Sequence, residues 1–286
     1  MNKSKRRDPW FLDDYTVNPY SGCSFNCLYC YIRGSKYGIH MERKLGIKTN
    51  APQLLEKALR SRADREQYGI IVLASATDPY LQIDVQTGLT RKLLEIILKY
   101  RFPVHIITKS DGVLRDLDLL EKIDQKAILP KNIPGLDRGT IITFSFSTIE
   151  EKVAKVFEAG ATSPLTRLQV LKTVSDRGFL SGVSMMPLLP WISDTTESLN
   201  AMFDAFKNHG AQYCFPADLT LFGEEPSSSR SLVLRAIEKH YPELLTKYQG
   251  YFQNSTEMPN YYRKAFYPKM LELAEKYSLR NRIVSQ

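Results

Sequence analysis

Three cysteines within eight residues, Cys23-Ser-Phe-Asn-Cys27-Leu-Tyr-Cys30, are the part of this sequence best suited to chemistry. Three thiolates on one short loop can converge on a metal centre. With four cysteines in the whole chain, a disulfide scaffold is not available. A structural zinc ion would want four protein ligands, and the fourth would be Cys214 or a histidine such as His40. A cluster of four irons makes a different demand, because each cysteine holds one iron and three cysteines leave the fourth iron open to a non-protein ligand. The spacing of three and then two intervening residues, with Tyr29 just before the last cysteine, favours the cluster over a zinc-stabilised loop.

Other chemistry-bearing residues stand at the ends of apolar runs. They include Ser75-Ala76-Thr77-Asp78-Pro79, Thr108-Lys109-Ser110, Ser145-Phe146-Ser147 and Pro187-Leu188-Leu189-Pro190. Six runs rich in β-branched and aromatic residues predict strands over 15–20, 69–75, 103–108, 140–146, 182–189 and 211–221. Between them, apolar spacings of three and four predict helices over 51–65, 87–101, 112–122, 164–177, 194–208 and 229–247. Alternation of this kind builds a parallel sheet, and six β-α units make a barrel or an open arc. Ligands in such architectures sit beyond the carboxyl ends of the strands, where these polar residues fall.

The chain has 286 residues and 43% hydrophobic residues, which rules out a wholly disordered chain. No apolar run approaches the roughly 18 residues that span a bilayer, and the expectation is a cytoplasmic protein with no membrane partner. Lys and Arg number 39 against 31 acids, a formal charge of +8 that permits an anionic partner without demanding one. Residues 125–139 read as an extended loop. No linker divides the chain, so residues 1–247 are expected to form the main unit, with a short basic arm at its start. Residues 248–286 are expected to be an aromatic, basic, helical extension packed on it.

The cysteine motif resembles that of the radical S-adenosylmethionine (SAM) superfamily, CxxxCxΦC with Φ aromatic, matched by Cys23, Cys27, Tyr29 and Cys30. The resemblance implies an α/β partial TIM barrel, (β/α)6, and a 4Fe-4S cluster on Cys23, Cys27 and Cys30 whose open iron chelates SAM. It further implies reductive cleavage of SAM to a 5′-deoxyadenosyl radical, driven by a reductant such as flavodoxin or ferredoxin. A closer resemblance is to the group of spore photoproduct lyase and the DNA repair photolyase-like proteins. It is carried by Asn18-Pro19-Tyr20-Ser21-Gly22-Cys23, Tyr29-Cys30-Tyr31-Ile32-Arg33, Ala76-Thr77-Asp78-Pro79-Tyr80, Ile107-Thr108-Lys109-Ser110, Ser163-Pro164, Arg167-Leu168 and Met186-Pro187-Leu188-Leu189-Pro190. That group implies a lyase-like reaction, with a DNA lesion as the substrate class.

Carried over residue by residue, the resemblance places Tyr29 against the SAM adenine and Ser75, Ala76 and Thr77 at its amino group, with Asp78 assisting or simply turning the chain before Pro79. Lys109 would hold the methionine carboxylate. Ser145 or Ser147 would lie near SAM, two residues on one strand face that the sequence does not separate. Glu158 and Arg167 read equally as ligand contacts or as a surface ion pair. One departure matters. The lyase uses a cysteine in the strand-two loop to supply hydrogen to its substrate radical, whereas Ser75-Ala76-Thr77 carries no thiol. Tyr31 is then a candidate for radical transfer and Cys214 for a relocated donor, although a lone cysteine on an apolar strand is usually core.

Two other classes fit the same residues. One is a non-catalytic protein that binds nucleic acid through a zinc- or cluster-organised loop. The other is a radical enzyme acting on a protein or a small metabolite. Near the end of the chain, Tyr261, Tyr262, Phe266 and Tyr267 interleave with Arg263, Lys264 and Lys269. Such a run can stack on bases, or it can pack a terminal helix with its charges in water.

Overall fold

The computed structural model describes residues 1–36, 38 and 45–284. Among these, nine strands run in chain order: β1 (Asn2–Lys3), β2 (Tyr15–Val17), β3 (Tyr20–Ser21), β4 (Gly46–Ile47), β5 (Ile71–Leu73), β6 (Val104–Thr108), β7 (Thr140–Ser145), β8 (Leu180–Met185) and β9 (Cys214–Pro216). The main sheet has the order β1-β2-β5-β6-β7-β8-β9, parallel from β2 to β9 with β1 antiparallel at the edge. A separate two-stranded pair joins β3 to β4. Each parallel strand lies beside its predecessor, so every crossover advances in the same direction. Right-handed crossovers that never reverse put all their helices on one face and curl the sheet around the other. Among the described residues no ladder closes β9 onto β1, so the arc is open, as a six-unit partial barrel is.

The helices are α1 (Ala51–Ala63), α2 (Asp84–Thr87), α3 (Leu89–Lys99), α4 (Leu117–Lys126), α5 (Glu151–Phe157), α6 (Pro164–Asp176), α7 (Thr196–Asn208), α8 (Ser229–His240), α9 (Leu245–Phe252) and α10 (Asn260–Lys276). The outer core joins Leu55, Leu93, Leu120, Leu171 and Phe203 of the crossover helices to Leu73, Ile106, Phe144, Val183 and Cys214 of the strands. Each such side chain is essentially inaccessible to water, and its burial contributes about 1.5–3 kcal/mol. Strand alternation sends Ile70, Ile141, Leu180, Tyr213 and Phe215 to the opposite, concave side. There Trp10, Phe11 and Leu12, with Ile133 and Leu136 from the 125–139 loop, plug the amino-terminal end of the arc.

Proline and glycine account for three of the differences from the sequence reading. Pro242 ends α8 at His240, so the helix expected over 229–247 is two helices joined by a 3-10 turn at Pro242–Leu244. Gly88, at φ 57, starts α3 at Leu89 rather than at the expected residue 87 and separates it from the short α2, which was not expected. The segment before α4 is a 3-10 turn, Asp111–Asp116, and α5 stands where no helix was expected. The strand expected over 182–189 begins at Leu180 and stops before Pro187. The last strand is confined to Cys214–Pro216. In the final segment, α10 buries Phe266, Met270, Leu273 and Ala274 in the outer core. Among the described residues no helix is long and apolar enough to cross a membrane.

Candidate active site

A cavity of about 470 Å³ opens at the carboxyl ends of the parallel strands. Its wall is assembled from the loop after β2 (Cys23, Cys27, Tyr29, Cys30, Tyr31), the loop after β5 (Ala74 to Asp78) and the ends of β6 and β7 (Lys109, Ser145). The far side comes from β8, β9 and the segments leaving them (Ser184, Met186, Pro187, Ala217, Asp218, Thr220). All three loop cysteines therefore face one space, together with Tyr29, Tyr31, Ser75, Ala76, Thr77, Lys109 and Ser145. Cys214 is not brought to them. Its neighbours Tyr213 and Phe215 point to the concave side, and Cys214 itself is fully buried against the helices. As a fourth zinc ligand or a hydrogen donor it faces the wrong side of the sheet. The other zinc option, His40, lies outside the described residues.

Backbone contacts hold the cysteine loop. Gly22 and Asn26 take positive φ, 82° and 54°, two residue types that enter the left-handed region at low cost. The Cys27 carbonyl accepts from Cys30 N–H at 3.3 Å, the Phe157 carbonyl from Leu28 N–H at 2.9 Å, and the Phe25 carbonyl from Gly160 N–H at 3.0 Å. The loop therefore lies directly on the turn after α5. Burial, with the Asp78 charge adding to it, pushes the Cys23 thiol up to about 12, and burial raises Cys27 as well. Both are neutral thiols in the metal-free chain, so taking up iron must release their protons. Among the described residues no group of three His, Cys, Asp or Glu side chains is already gathered to hold a metal ion. The three thiols line one cavity, and a cluster held there would take one thiolate per iron.

The loop after β5 is fixed by its neighbours and keeps some of its polar atoms open. Ala74 adopts φ 64, a left-handed conformation unusual for alanine, with its N–H on the Val17 carbonyl at 2.8 Å. Asn18 Oδ1 accepts from Ala76 N–H at 3.1 Å, and the Ser75 carbonyl accepts from Tyr31 OH at 2.8 Å. Thr77 Oγ1 is buried on the cavity wall without a partner. Asp78 is occupied. It accepts from Thr108 Oγ1 at 2.8 Å, Lys109 N–H at 2.8 Å and Tyr80 N–H at 2.9 Å, which locks this loop to the end of β6. Burial raises its carboxyl to about 6.

Behind the wall lies a charged network. Glu158 Oε2 is 2.5 Å from Arg167 Nη2, and both side chains are fully buried. Glu158 Oε1 accepts from Tyr29 OH and, at 2.7 Å, from Ser147 Oγ. Lys109 Nζ stands 3.6 Å from that oxygen and 5.9 Å from the centre of the Tyr29 ring. Burial alone would raise the Glu158 carboxyl. Arg167 and Lys109 outweigh it and hold the group near 2, so it is ionised throughout the physiological range. This corrects the surface ion pair considered for Glu158 and Arg167: the pair is internal, and neither residue lines the cavity. It also separates the two serines. The Ser147 hydroxyl is spent on Glu158, whereas Ser145 reaches the cavity and gives its carbonyl to Arg167 Nη1.

Sequence reasoning missed the part of the far wall that follows β9. Asp218 comes two residues after β9 and is 9% exposed, with Oδ1 accepting from Tyr267 OH at 2.9 Å and Oδ2 3.6 Å from Arg263 Nε. The polar-after-strand signal that marked Lys109 was present here too, but the expected strand ran on to residue 221 and hid it. The aromatic run of α10 is largely engaged: Tyr262 OH donates to Asp194 at 2.6 Å, Phe266 is core, and Tyr261 alone of the four aromatics is mostly exposed.

The donor set fits a cluster and a small zwitterionic ligand. It offers three soft ligands, an unpartnered hydroxyl at Thr77 and a cation at Lys109 on one wall. Comparison with known proteins agrees with that chemistry. The family model described as Radical SAM superfamily matches residues 17–202. An uncharacterized protein of Mycobacterium tuberculosis is 25% identical over 272 residues, covering 93% of this chain and 75% of the relative. An uncharacterized protein of Acidianus two-tailed virus is 27% identical over 257 residues, 82% of this chain and 80% of its own. Among solved structures, a cysteine-to-serine mutant of spore photoproduct lyase superposes with a TM-score of 0.64 at 16% identity, over 97% of this chain and 77% of the lyase. A second lyase mutant, with bound AdoMet and dinucleoside spore photoproduct, gives 0.62 at 16% identity over 92% and 74%.

Proposed function

Because the chain belongs to the radical SAM superfamily, we propose that it uses a 4Fe-4S cluster on Cys23, Cys27 and Cys30 to cleave SAM and abstract hydrogen from a substrate lodged in the cavity against the segments that leave β8 and β9. The superfamily implies the cluster and SAM; the observation that supports this placement is the convergence of the three thiols, Thr77 and Lys109 on one cavity. Bound there, the cluster would supply the electron that turns SAM into methionine and a 5′-deoxyadenosyl radical. The protein's own residues do the rest. Lys109 takes the methionine carboxylate, and the Thr77 hydroxyl with the carbonyls of the 75–77 loop takes the ammonium. Tyr29 and Ser145 border the adenosine, and Asp78 holds the loop in register with β6. A cavity walled by Phe25, Val72, Ala74, Ile107 and Met186 keeps water from the radical.

In this reading Tyr31, on the cavity wall with its OH on the Ser75 carbonyl, would return a hydrogen atom to the product radical and keep the unpaired electron as a phenoxyl radical. Cys214 would not, since it faces the helices. The likeness to a lyase structure with bound dinucleoside spore photoproduct supports a DNA lesion as the substrate class. The test is anaerobic reconstitution with iron and sulfide, then measurement of 5′-deoxyadenosine under dithionite or reduced flavodoxin or ferredoxin, with and without ultraviolet-irradiated DNA. A fully loaded protein that forms no 5′-deoxyadenosine refutes the enzyme reading. One that forms it but ignores irradiated DNA, with no DNA binding at low salt, refutes the lesion and leaves a protein or metabolite substrate. In the same assay Tyr31→Phe should leave 5′-deoxyadenosine formation within about twofold while lowering product formation; equal product in both proteins removes Tyr31 from the reaction.

A further inference from the structure

The buried network contains two cations and one carboxylate, and its members are not equivalent. Arg167 and Glu158 are completely enclosed, whereas the Lys109 side chain keeps 11% of its surface, and that surface faces the cavity. Glu158 spends Oε2 on Arg167 at 2.5 Å and Oε1 on the Tyr29 and Ser147 hydroxyls, leaving Lys109 at 3.6 Å, beyond hydrogen-bond length. Arg167 in turn gives Nη1 to the Ser145 carbonyl, lies 4.7 Å from the Phe146 ring centre and buries Nε without a partner. Its charge is thus compensated chiefly by Glu158. The trio by itself carries one surplus positive charge, on the member that reaches ligand, and the other acid that Lys109 feels, Asp78, already accepts from Thr108 Oγ1 and from the Lys109 and Tyr80 N–H groups.

We propose that Glu158 is a positioning residue: by neutralising Arg167 it reserves the Lys109 charge for the carboxylate of SAM, and by accepting from Tyr29 it sets that cation beside the cysteine loop. The inference rests on the function proposed for the cavity, in which Lys109 takes the carboxylate. A buried charge deprived of its partner is costly, and here the cost would fall on the residue able to yield. Without Glu158, the Arg167 guanidinium repels Lys109, which turns out of the cavity towards water. Tyr29 stands between Cys27 and Cys30 in the chain, so one carboxylate links the cluster loop with the end of SAM that must lie against it.

The experiment measures binding rather than turnover. Proteins with the cluster reconstituted and matched iron content are dialysed anaerobically, without reductant, against SAM or against decarboxylated SAM, which lacks the carboxylate. Glu158→Gln keeps the shape and an acceptor for Tyr29, so it should weaken SAM by about tenfold or more while changing decarboxylated SAM by less than about threefold. The double variant Glu158→Gln/Arg167→Met removes both charges of the enclosed pair and should restore the preference for SAM to within about threefold of the parent. Should Glu158→Gln fold or load poorly, the double variant still reads the preference; restoration there supports the proposal and a lost preference overturns it. Parallel weakening of both ligands in Glu158→Gln would make Glu158 merely structural. Lys109→Met separates the layers: if it leaves the preference unchanged, the carboxylate assignment itself falls and the proposal with it. If Lys109→Met abolishes the preference and Glu158→Gln does not, the proposal alone is overturned.

Discussion

The two ends of the arc's interior are built from the same strands and by opposite rules. At the floor, His105 of β6 lies four residues before Lys109. The Phe11 carbonyl accepts from its Nδ1–H at 2.8 Å, and Nε2 accepts from Thr143 Oγ1 at 2.6 Å, which accepts in turn from Tyr213 OH at 2.6 Å. Each link of this hydrogen-bonded chain is uncharged and has its hydrogen-bond partner. At the rim, the same two strands lead into Lys109, Ser145 and Ser147, where an enclosed ion pair is left with a surplus cation and the neighbouring Thr77 hydroxyl is left without a partner. Closed polar chains rigidify, and open ones wait for a ligand. The carboxyl ends of the strands carry the chemistry and the amino ends the stability, as the geometry of parallel barrels dictates.

If the rim serves ligands and the floor serves folding, changes at each should separate binding from stability. The largest effect belongs to the thiols. Cys30→Ala should lower iron content and reduce 5′-deoxyadenosine to background while the chain stays folded by circular dichroism; full activity from a two-cysteine loop would break the assignment. Next comes Lys109→Met, expected to weaken SAM by about 30-fold or more, as loss of one partner of a desolvated charge pair does. Because Lys109 also stands 3.6 Å from the buried Glu158 carboxylate, its removal should lower the melting temperature of the ligand-free protein by a few degrees at most, a smaller effect than the loss of SAM affinity. A fall of several degrees, with SAM affinity intact, would make Lys109 a floor-type residue.

Much of this contrast was readable in the sequence, and the unreadable part has physical causes. The β-α alternation gave six parallel strands because each had a β-branched or aromatic run bounded by turn residues, and the cysteine spacing alone marked the loop. Lys109 and the undivided pair Ser145 and Ser147 stood out at strand ends, with their roles towards SAM coming only from the family resemblance. Glu158 did not, because nothing local distinguishes a carboxylate at the end of a short helix from a surface one; its enclosure depends on Arg167, Tyr29 and Ser147 arriving from three other places. The floor was equally hidden. His105 sits mid-strand among Val104, Ile106 and Ile107, and its partners come from the Trp10–Leu12 segment, β7 and the residue before β9. Cys214 shows what alternation can decide only after register is known: one residue either way and it would face the cavity.

The floor makes its own prediction. Burial lowers His105 from 6.5 to about 4, so the folded state refuses a proton that the unfolded chain accepts. The contribution is fully present above pH 6.5 and is lost as pH falls towards 4, about 2 kcal/mol of it between pH 7.5 and 5. Denaturant unfolding across that range should show the loss, and His105→Gln, which cannot titrate, should flatten this part of the profile while leaving SAM affinity unchanged. An identical acid slope in the variant would mean that other groups carry it.

The smallest effect tests where the two regimes meet. Gly160 has no unusual φ to justify it, and its role is closeness: a Cβ there would lie 2.5 Å from the Ser24 carbonyl oxygen and 2.8 Å from Phe25 Cα, both backbone atoms of the cysteine loop. Gly160→Ala must therefore push that loop off the turn after α5 and stretch the 3.0 Å bond from Gly160 N–H to the Phe25 carbonyl. Overpacking of this kind costs about 1–3 kcal/mol when the neighbours cannot move, and the lower end applies here because both segments are partly exposed. The displacement falls on the loop that carries all three thiols, so iron retention during gel filtration should drop more than the melting temperature does. A variant that loses stability without losing iron would show that the loop's contact with the α5 turn belongs to the closed, stabilising half of the molecule rather than to the half that waits for ligand.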